Sequence, residues 1–264
     1  MRLIHHPALH AGELIEFLAR RAVPGVEEVV DGVYRRSLPD GSVLEIAPDA
    51  SVDGDAGAAR ALLRLDADPE AIERALGDDR LLGPLVRAAP GRRVPGHPDG
   101  QELAVRALLG QQISVAAART LAGRLTAALG EPLAAPRGGV THRFPAPGAL
   151  AALDPATLPT PRARGRALVG LAAALAAGEP VNERLPGIGP WTVAYVALRS
   201  GDDDAFLPTD LGVRHGLERL GADPRRAAEL AEAWAPYRGF AVAHLWHAAG
   251  TTPGHRRRAR IGSS

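Results

Sequence analysis

The sequence contains no cysteine, so disulfides, thiolate zinc sites, iron–sulfur clusters and a cysteine nucleophile are all excluded. Lysine is absent too: all 31 basic residues are arginine, and no side chain can form a lysine Schiff base. Aromatic residues are sparse, with 3 Trp, 3 Tyr and 4 Phe, so a site needing several of them would draw on a large share of the supply. The longest apolar run, Ala167 to Ala177, is far short of the ~20 residues of a membrane span. The stretch Met1-Arg2-Leu3-Ile4-His5-His6-Pro7 lacks the apolar core of a secretory signal. A cytoplasmic protein with no membrane partner is expected.

What is present is ordinary for a soluble globular chain: 264 residues, 46% hydrophobic and 23% charged, enough for one or two domains at roughly 150 residues each. The arginine and alanine bias reads as the trace of a GC-rich genome. The net charge of +1 conceals an asymmetry, because residues 1–98 are acidic by four charges and residues 99–264 basic by five. That permits a polyanionic partner without demanding one; on charge alone a solvated surface accounts for it.

Along the chain, residues 11–22 read as a helix with Leu14, Phe17, Leu18 and Arg21 on one side. Alternating runs at 33–38 and 42–46 around Pro39-Asp40-Gly41 predict a hairpin. Residues 49–57 read as loop, and no strand pattern appears beyond about residue 58. Asp68 and Pro69 start a helix that stops at Gly77, and residues 91–98 read as a linker. Asp99 and Glu102 have capping-box spacing and open a helix through Leu109. Ser114 caps the next, which runs to Gly130. Residues 131–148 read as loop, followed by helices at about 148–153, 162–177, 190–200, 210–220, 224–234 and 237–248. The expectation is a mainly α fold: a small N-terminal α+β domain over 1–64, then a bundle of eight or nine short helices over 65–264.

The most informative segment is Leu185-Pro186-Gly187-Ile188-Gly189-Pro190-Trp191-Thr192-Val193-Ala194-Tyr195. Two glycines around one apolar residue make a tight turn open to a close neighbour, and Pro190 starts a helix whose bare amides and positive dipole end suit a phosphate. Gly-x-Gly turns also serve as plain connectors between helices, and both readings stand on physics alone.

This segment resembles the helix–hairpin–helix motif of a DNA glycosylase superfamily, placed here at about 181–200. With it go Phe17-Leu18-Ala19-Arg20-Arg21-Ala22-Val23-Pro24-Gly25-Val26-Glu27, Arg106-Ala107-Leu108-Leu109-Gly110-Gln111-Gln112-Ile113-Ser114-Val115-Ala116 and Phe206-Leu207-Pro208-Thr209-Asp210. Four motifs in the family's order, over nearly the whole chain, look like the 3-methyladenine DNA glycosylase II (AlkA-like) family. The resemblance implies a helix–hairpin–helix glycosylase bundle that excises alkylated purines from double-stranded DNA by base flipping, as a monomer associated with the nucleoid. It implies Asp210 as the catalytic carboxylate. The charge meets a helix N-terminus there and can stabilise an oxocarbenium-like sugar; as a structural reading, Asp210 only caps that helix. Trp191, Tyr195, Trp246 and Phe17 would line a base pocket, holding a cationic base on electron-rich faces, or be ordinary core. Gln112 would fill the gap left by the extruded base, and Gly187, Ile188, Gly189 and Thr192 would contact a DNA phosphate. Lyase-competent relatives carry lysine where Trp191 stands, so strand cleavage is not expected.

No cofactor is expected for catalysis. The backbone carbonyls of Glu183, Leu185 and Ile188 would hold a monovalent cation at the hairpin, although residues 178–184 leave barely one turn for the helix that should enter it. The N-terminal sheet looks reduced, and the alternative function is a catalytically weak or silent glycosylase-like protein that binds damaged or bent DNA. His244 and His247 read as surface histidines, Asp202-Asp203-Asp204 as a solvated loop, and Arg256-Arg257-Arg258 with Arg260 as a basic tail able to meet phosphates or simply solubilise.

Overall fold

The computed structural model describes residues 9–158 and 160–250; the 256–260 arginine run lies outside the described residues. Helix α1 (Ala11–Arg21) buries Leu14, Phe17 and Leu18 on one side, as their spacing predicts. An antiparallel sheet follows in the order β1-β2-β3-β4, comprising β1 (Glu27–Val30), β2 (Val33–Ser37), β3 (Val43–Ile46) and β4 (Val52–Asp53). The predicted hairpin pairs Tyr34 with Ile46 and Ser37 with Val43. The other two strands correct the expectation of a reduced sheet. Asp31 and Gly32, with φ of 52° and 76°, turn β1 into β2; such a two-residue turn matches the twist of paired strands. β4 is a two-residue edge inside the stretch read as loop.

Helices α2 (Ala56–Leu63), α3 (Pro69–Leu76), α4 (Gly83–Ala88), α5 (Gly100–Leu109) and α6 (Val115–Leu129) come next. α2 and α4 carry no strong sequence signal; α4 raises the number of α-helices beyond residue 65 to ten among the described residues, above the eight or nine expected. Asp68 accepts from the Glu70 and Ala71 amides, Asp99 from those of Gln101 and Glu102, and Ser114 from that of Ala117, so three predicted caps are observed. Residues 131–148 are not all loop: β5 (Pro132–Arg137) and β6 (Val140–His142) form a second small sheet, which Val140 bridges to Gly25. Then follow α7 (Pro147–Ala151), α8 (Arg162–Ala176), α9 (Pro190–Ser200), α10 (Leu211–Arg219), α11 (Ala227–Leu230) and α12 (Arg238–Ala248). The helix predicted over 224–234 is broken into 3-10 turns on either side of α11.

The fold is mainly helical with a small N-terminal sheet. One apolar core joins Tyr34, Leu44 and Ile46 of the sheet to Leu62, Val213, Leu217 and Leu245; a second gathers α5, α6 and α8 around Val23, Val26 and Ile188. Residues 92–97, expected as a linker, are buried instead. Arg92 forms a bidentate pair with Glu13, both bonds at 3.0 Å, and Arg93 donates to the Arg64 carbonyl at 2.7 Å.

Sheet and α5 are locked by buried charge. Arg36, fully buried, donates to Glu102 Oε2 at 2.6 Å; Arg106 reaches Glu27 Oε2 at 2.8 Å and Glu102 Oε1 at 2.7 Å; Tyr34 donates to Glu27 Oε1 at 2.6 Å. Glu102 therefore does not complete a capping box, because two guanidiniums offer it stronger, charge-assisted bonds than a helix-end amide does. Burial alone would raise Glu102, but Arg36, His97 and Arg106 outweigh it and hold the carboxyl well below its ordinary value. Burial keeps His97 below the usual histidine range.

Two minor expectations are also corrected. His244 is buried in α12, its Nδ1 without a partner and its pKa pushed down by burial to about 3, so it is no surface histidine. In the 202–204 loop, Asp203 pairs with Arg64 and Asp204 with Arg238, because both arginines arrive from packed helices.

Candidate active site

Between the end of α8 and the start of α9 the chain makes only short turns. The Leu185 amide donates to the Asn182 carbonyl at 3.2 Å and the Ile188 amide to the Leu185 carbonyl at 3.1 Å, in keeping with the short entry the sequence predicts. The two glycines of the turn differ. Gly187 has φ of 81°, and a Cβ there would lie 2.6 Å from the Ala167 Cβ, so the fold itself requires glycine. Gly189 has φ of −106° and open space around any added Cβ, so internal packing does not require it. The N–H groups of Gly189 and Trp191 have no backbone acceptor among the described residues.

Neighbouring residues are placed differently from one another. Ile188 is buried in the second core, and the Thr192 hydroxyl is buried beneath Gln111, whose Nε2 donates to it at 3.1 Å and to the Gly187 carbonyl at 2.9 Å. Only backbone groups of Ile188 and Thr192 are therefore placed to meet a ligand, and the Thr192 amide is already directed at the Gly189 carbonyl, 2.9 Å away. Gln111 is a residue that sequence reasoning passed over in favour of its neighbour. With Arg164, which donates to the Gln111 carbonyl at 2.7 Å, it fastens the α5–α6 loop to the hairpin. The fastening holds Gln112 exposed at φ of 58°, a left-handed conformation that costs a non-glycine residue about 1 kcal/mol.

Asp210 caps α10, its Oδ1 accepting from the Val213 amide at 3.0 Å. The same carboxylate receives two indoles: Trp246 Nε1 donates to Oδ1 at 2.7 Å and Trp191 Nε1 to Oδ2 at 3.0 Å. Cap and candidate catalyst are thus one group, held by three donors. It lies on the wall of a cavity of about 300 Å³ together with Phe17, Trp191, Tyr195 and Trp246, so the structure brings the predicted aromatic set and the carboxylate to one place. Trp191 stacks on Tyr195 at 5.0 Å between ring centroids, and Trp246 on Phe17 at 6.0 Å. Trp246 approaches closely because residue 212 is glycine: a Cβ there would lie 2.6 Å from Trp246 Cδ1 and 3.1 Å from Asp210 Oδ1. A glycine two places after the aspartate, inside a helix's first turn, was the sequence signal for this. Leu211, beside Asp210, is 69% exposed, unusual for leucine.

Two of the arginines on the cavity wall meet the aromatic set. Arg21 lies with Cζ 3.7 Å over the Phe17 ring, and Arg199 Nη1 donates to Tyr195 Oη at 2.8 Å. Among the described residues one group of three close candidate metal ligands occurs, Glu27, His97 and Glu102. It could in principle hold a cation, but Arg36 and Arg106 already engage its carboxylates, and none of the three belongs to the hairpin.

Comparison with known proteins converges on one family. A model described as the AlkA N-terminal domain matches residues 1–56 and 45–99, and one described as HhH-GPD superfamily base excision DNA repair protein matches residues 105–236. The chain is 43% identical over 261 residues to a Mycobacterium tuberculosis protein named probable bifunctional transcriptional activator/DNA repair enzyme AlkA, covering 87% of this chain and 53% of that one. It therefore spans about half that relative's length. It is 36% identical over 275 residues to Escherichia coli DNA-3-methyladenine glycosylase 2, covering 91% and 94% of the two chains. Among solved structures, a 3-methyladenine DNA glycosylase from Archaeoglobus fulgidus shares the fold, with a TM-score of 0.74 over 95% of this chain and 97% of that one at 20% identity.

Proposed function

Because the chain belongs to the HhH-GPD superfamily of base excision DNA repair proteins, in its AlkA-type branch, we propose that it is a monofunctional DNA glycosylase releasing alkylated purines of the 3-methyladenine type from duplex DNA. The observation that carries this is Asp210, a carboxylate fixed by two indole N–H groups on the wall of an aromatic cavity. A purine alkylated at N3 or N7 is cationic. When its bond to C1′ breaks, the electron pair goes to the base, which leaves neutral, and the positive charge passes to the sugar. Asp210 stabilises that charge and orients the water whose oxygen bonds to C1′ as its proton passes through the carboxylate to solvent. Trp191, Tyr195, Trp246 and Phe17 enclose the base. With no lysine in the chain, water is the nucleophile and no Schiff base leads on to strand cleavage.

Residues 1–64 contribute Phe17 and Arg21 to the cavity, and residues 65–264 contribute the catalytic helix. Gln112 enters the stack vacated by the base, with exposed Leu211 giving apolar contact beside the lesion. The Gly187–Thr192 turn takes a phosphate on its free amides. Carbonyls of Glu183, Leu185 and Ile188 would hold a monovalent cation. They fit one, being hard oxygen donors, and those of Glu183 and Ile188 receive no backbone donor among the described residues. When bound, the ion would stiffen the turn and add positive charge beside the phosphate.

The test is incubation of the protein with methylated duplex DNA. Free methylpurines should appear, and strand breaks only after alkali is added; strand breaks without alkali would contradict the no-lyase assignment. The hairpin reading predicts that Gly189→Ala weakens DNA binding about tenfold without changing Tm, because its Cβ meets nothing inside the protein and blocks only an approaching phosphate. Equal DNA affinity would remove the phosphate site. Gly212→Ala is expected to lower base release by about 10- to 100-fold, since moving Trp246 and Asp210 by less than an ångström spoils the reacting geometry. Circular dichroism should stay native.

A further inference from the structure

A cleft for cationic bases would be expected to present aromatic faces alone, yet this one also carries a guanidinium bonded to a phenol and a second one near by. Tyr195 Oη accepts from Arg199 Nη1 at 2.8 Å, and Arg21 lies near enough to act on it as a second positive charge. Arg199 is fixed from behind by the carbonyls of Pro95 and Gly96, and Arg21 by that of Phe17 at 3.3 Å. All three side chains line the cavity that holds Asp210. With Arg199 donating to it and a second cation near by, the phenol is left with a proton to give, and no described residue accepts it. Burial alone would raise the Tyr195 pKa, but Arg199 and Arg21 outweigh burial and bring it below the ordinary phenol value, which makes the O–H a stronger donor.

Around Tyr195 Oη the cavity is therefore rich in donors. It complements a base edge that carries a carbonyl and sets an exocyclic amine against donors, a mismatch that forfeits most of a hydrogen bond. Among alkylated purines, N7-alkylguanine presents its O6 carbonyl where N3-alkyladenine presents its N6 amine. We infer that Tyr195, braced by Arg199 and Arg21, is a specificity-determining residue that donates its O–H to the carbonyl edge of the extruded base and so raises release of N7-alkylguanine relative to N3-alkyladenine. The inference rests on the glycosylase reading above.

Methylated duplex DNA carries both lesions, so one incubation reports both products and their ratio is independent of how much active enzyme is present. Tyr195→Phe keeps the ring stacked on Trp191 and removes only the hydroxyl. The ratio of N7-methylguanine to N3-methyladenine in the initial release should fall about tenfold relative to wild type, whatever happens to the total. An unchanged or increased ratio overturns the inference. If Tyr195→Phe releases neither base, product inhibition of the wild type decides: free N7-methylguanine should inhibit about tenfold more strongly than free N3-methyladenine, and equal or weaker inhibition overturns it. Failure of the wild type to release either base is a different result, and removes the glycosylase reading itself.

Discussion

Asp210→Asn should lower methylpurine release by about 10³-fold while leaving DNA binding intact. Asparagine is nearly isosteric, and its carbonyl can still accept from Trp246 Nε1 and the Val213 amide, so α10 stays capped. What disappears is the negative charge that offsets the developing cation at the sugar. The amide also sets an NH₂ against the Trp191 N–H, which now donates to Oδ2 at 3.0 Å. Part of the loss could therefore come from a displaced indole, and Trp191→Phe separates the two effects. It removes the same N–H while keeping an aromatic face, and should cost far less than the charge does. If Trp191→Phe matched Asp210→Asn, the carboxylate would be a structural cap and the indole the functional group. Removing an anion from beside a phosphate chain lessens repulsion, so affinity for methylated DNA should hold or rise; its collapse would mean that the substitution had damaged the fold.

Much of this site could be read from the sequence because its determinants are local. Pro190 after Gly-Ile-Gly fixes a helix start, Asp210 stands at the next one, and Trp191 and Tyr195 share a face by their spacing of four. The helix starts at Asp68, Asp99 and Ser114 were readable for the same reason. Elements whose logic is tertiary were not readable. β5 is almost wholly exposed and contains two prolines, so it shows no alternation, and its hairpin is recognisable only once Gly25 is seen against Val140. The β1–β2 turn, by contrast, has a local signal in Asp31-Gly32 between paired valines. Gln111 and Gln112 are identical by composition, and only the distance to Gly187 and Thr192 shows that the first is structural. Arg21 and Arg199, beside the aromatic set, give no signal beyond helix position.

The buried ion cluster was the largest omission, and it carries the largest expected stability effect. Tyr34 and Arg36 alternate to the same face of β2, so Arg36 had to be buried if Tyr34 was; its partners Glu27, His97 and Glu102 are scattered through the chain. Arg36→Met should destabilise the protein by ~3–5 kcal/mol, because it leaves two buried carboxylates sharing Arg106 as their one arginine among the described residues. Adding Glu102→Leu should recover part of that loss by removing the uncompensated charge, a coupling that independent sites would not show. The pH dependence has a definite sign. Glu27 and Glu102 are held below the ordinary value of 4.5, so their contribution is present above that pH and is lost as pH falls below it. His97 is held below 6.5, so its contribution is lost as pH falls from 6.5. Wild-type Tm should thus decline below about pH 6.5, and more steeply below 4.5. In Arg36→Met, one of the cations that oppose burial is gone, the carboxyls take up protons more readily in the fold, and the gap to wild type should narrow on acidification. A gap that widened towards acid would show that Arg36 fills space without holding those carboxylates ionised. The cluster also reaches the cavity, since Arg106 donates to the Arg21 carbonyl at 2.7 Å and so ties the end of α1 to α5. Loosening it should therefore impair base release at temperatures where the fold still survives, because Phe17 and Arg21 sit on the helix that Arg106 secures.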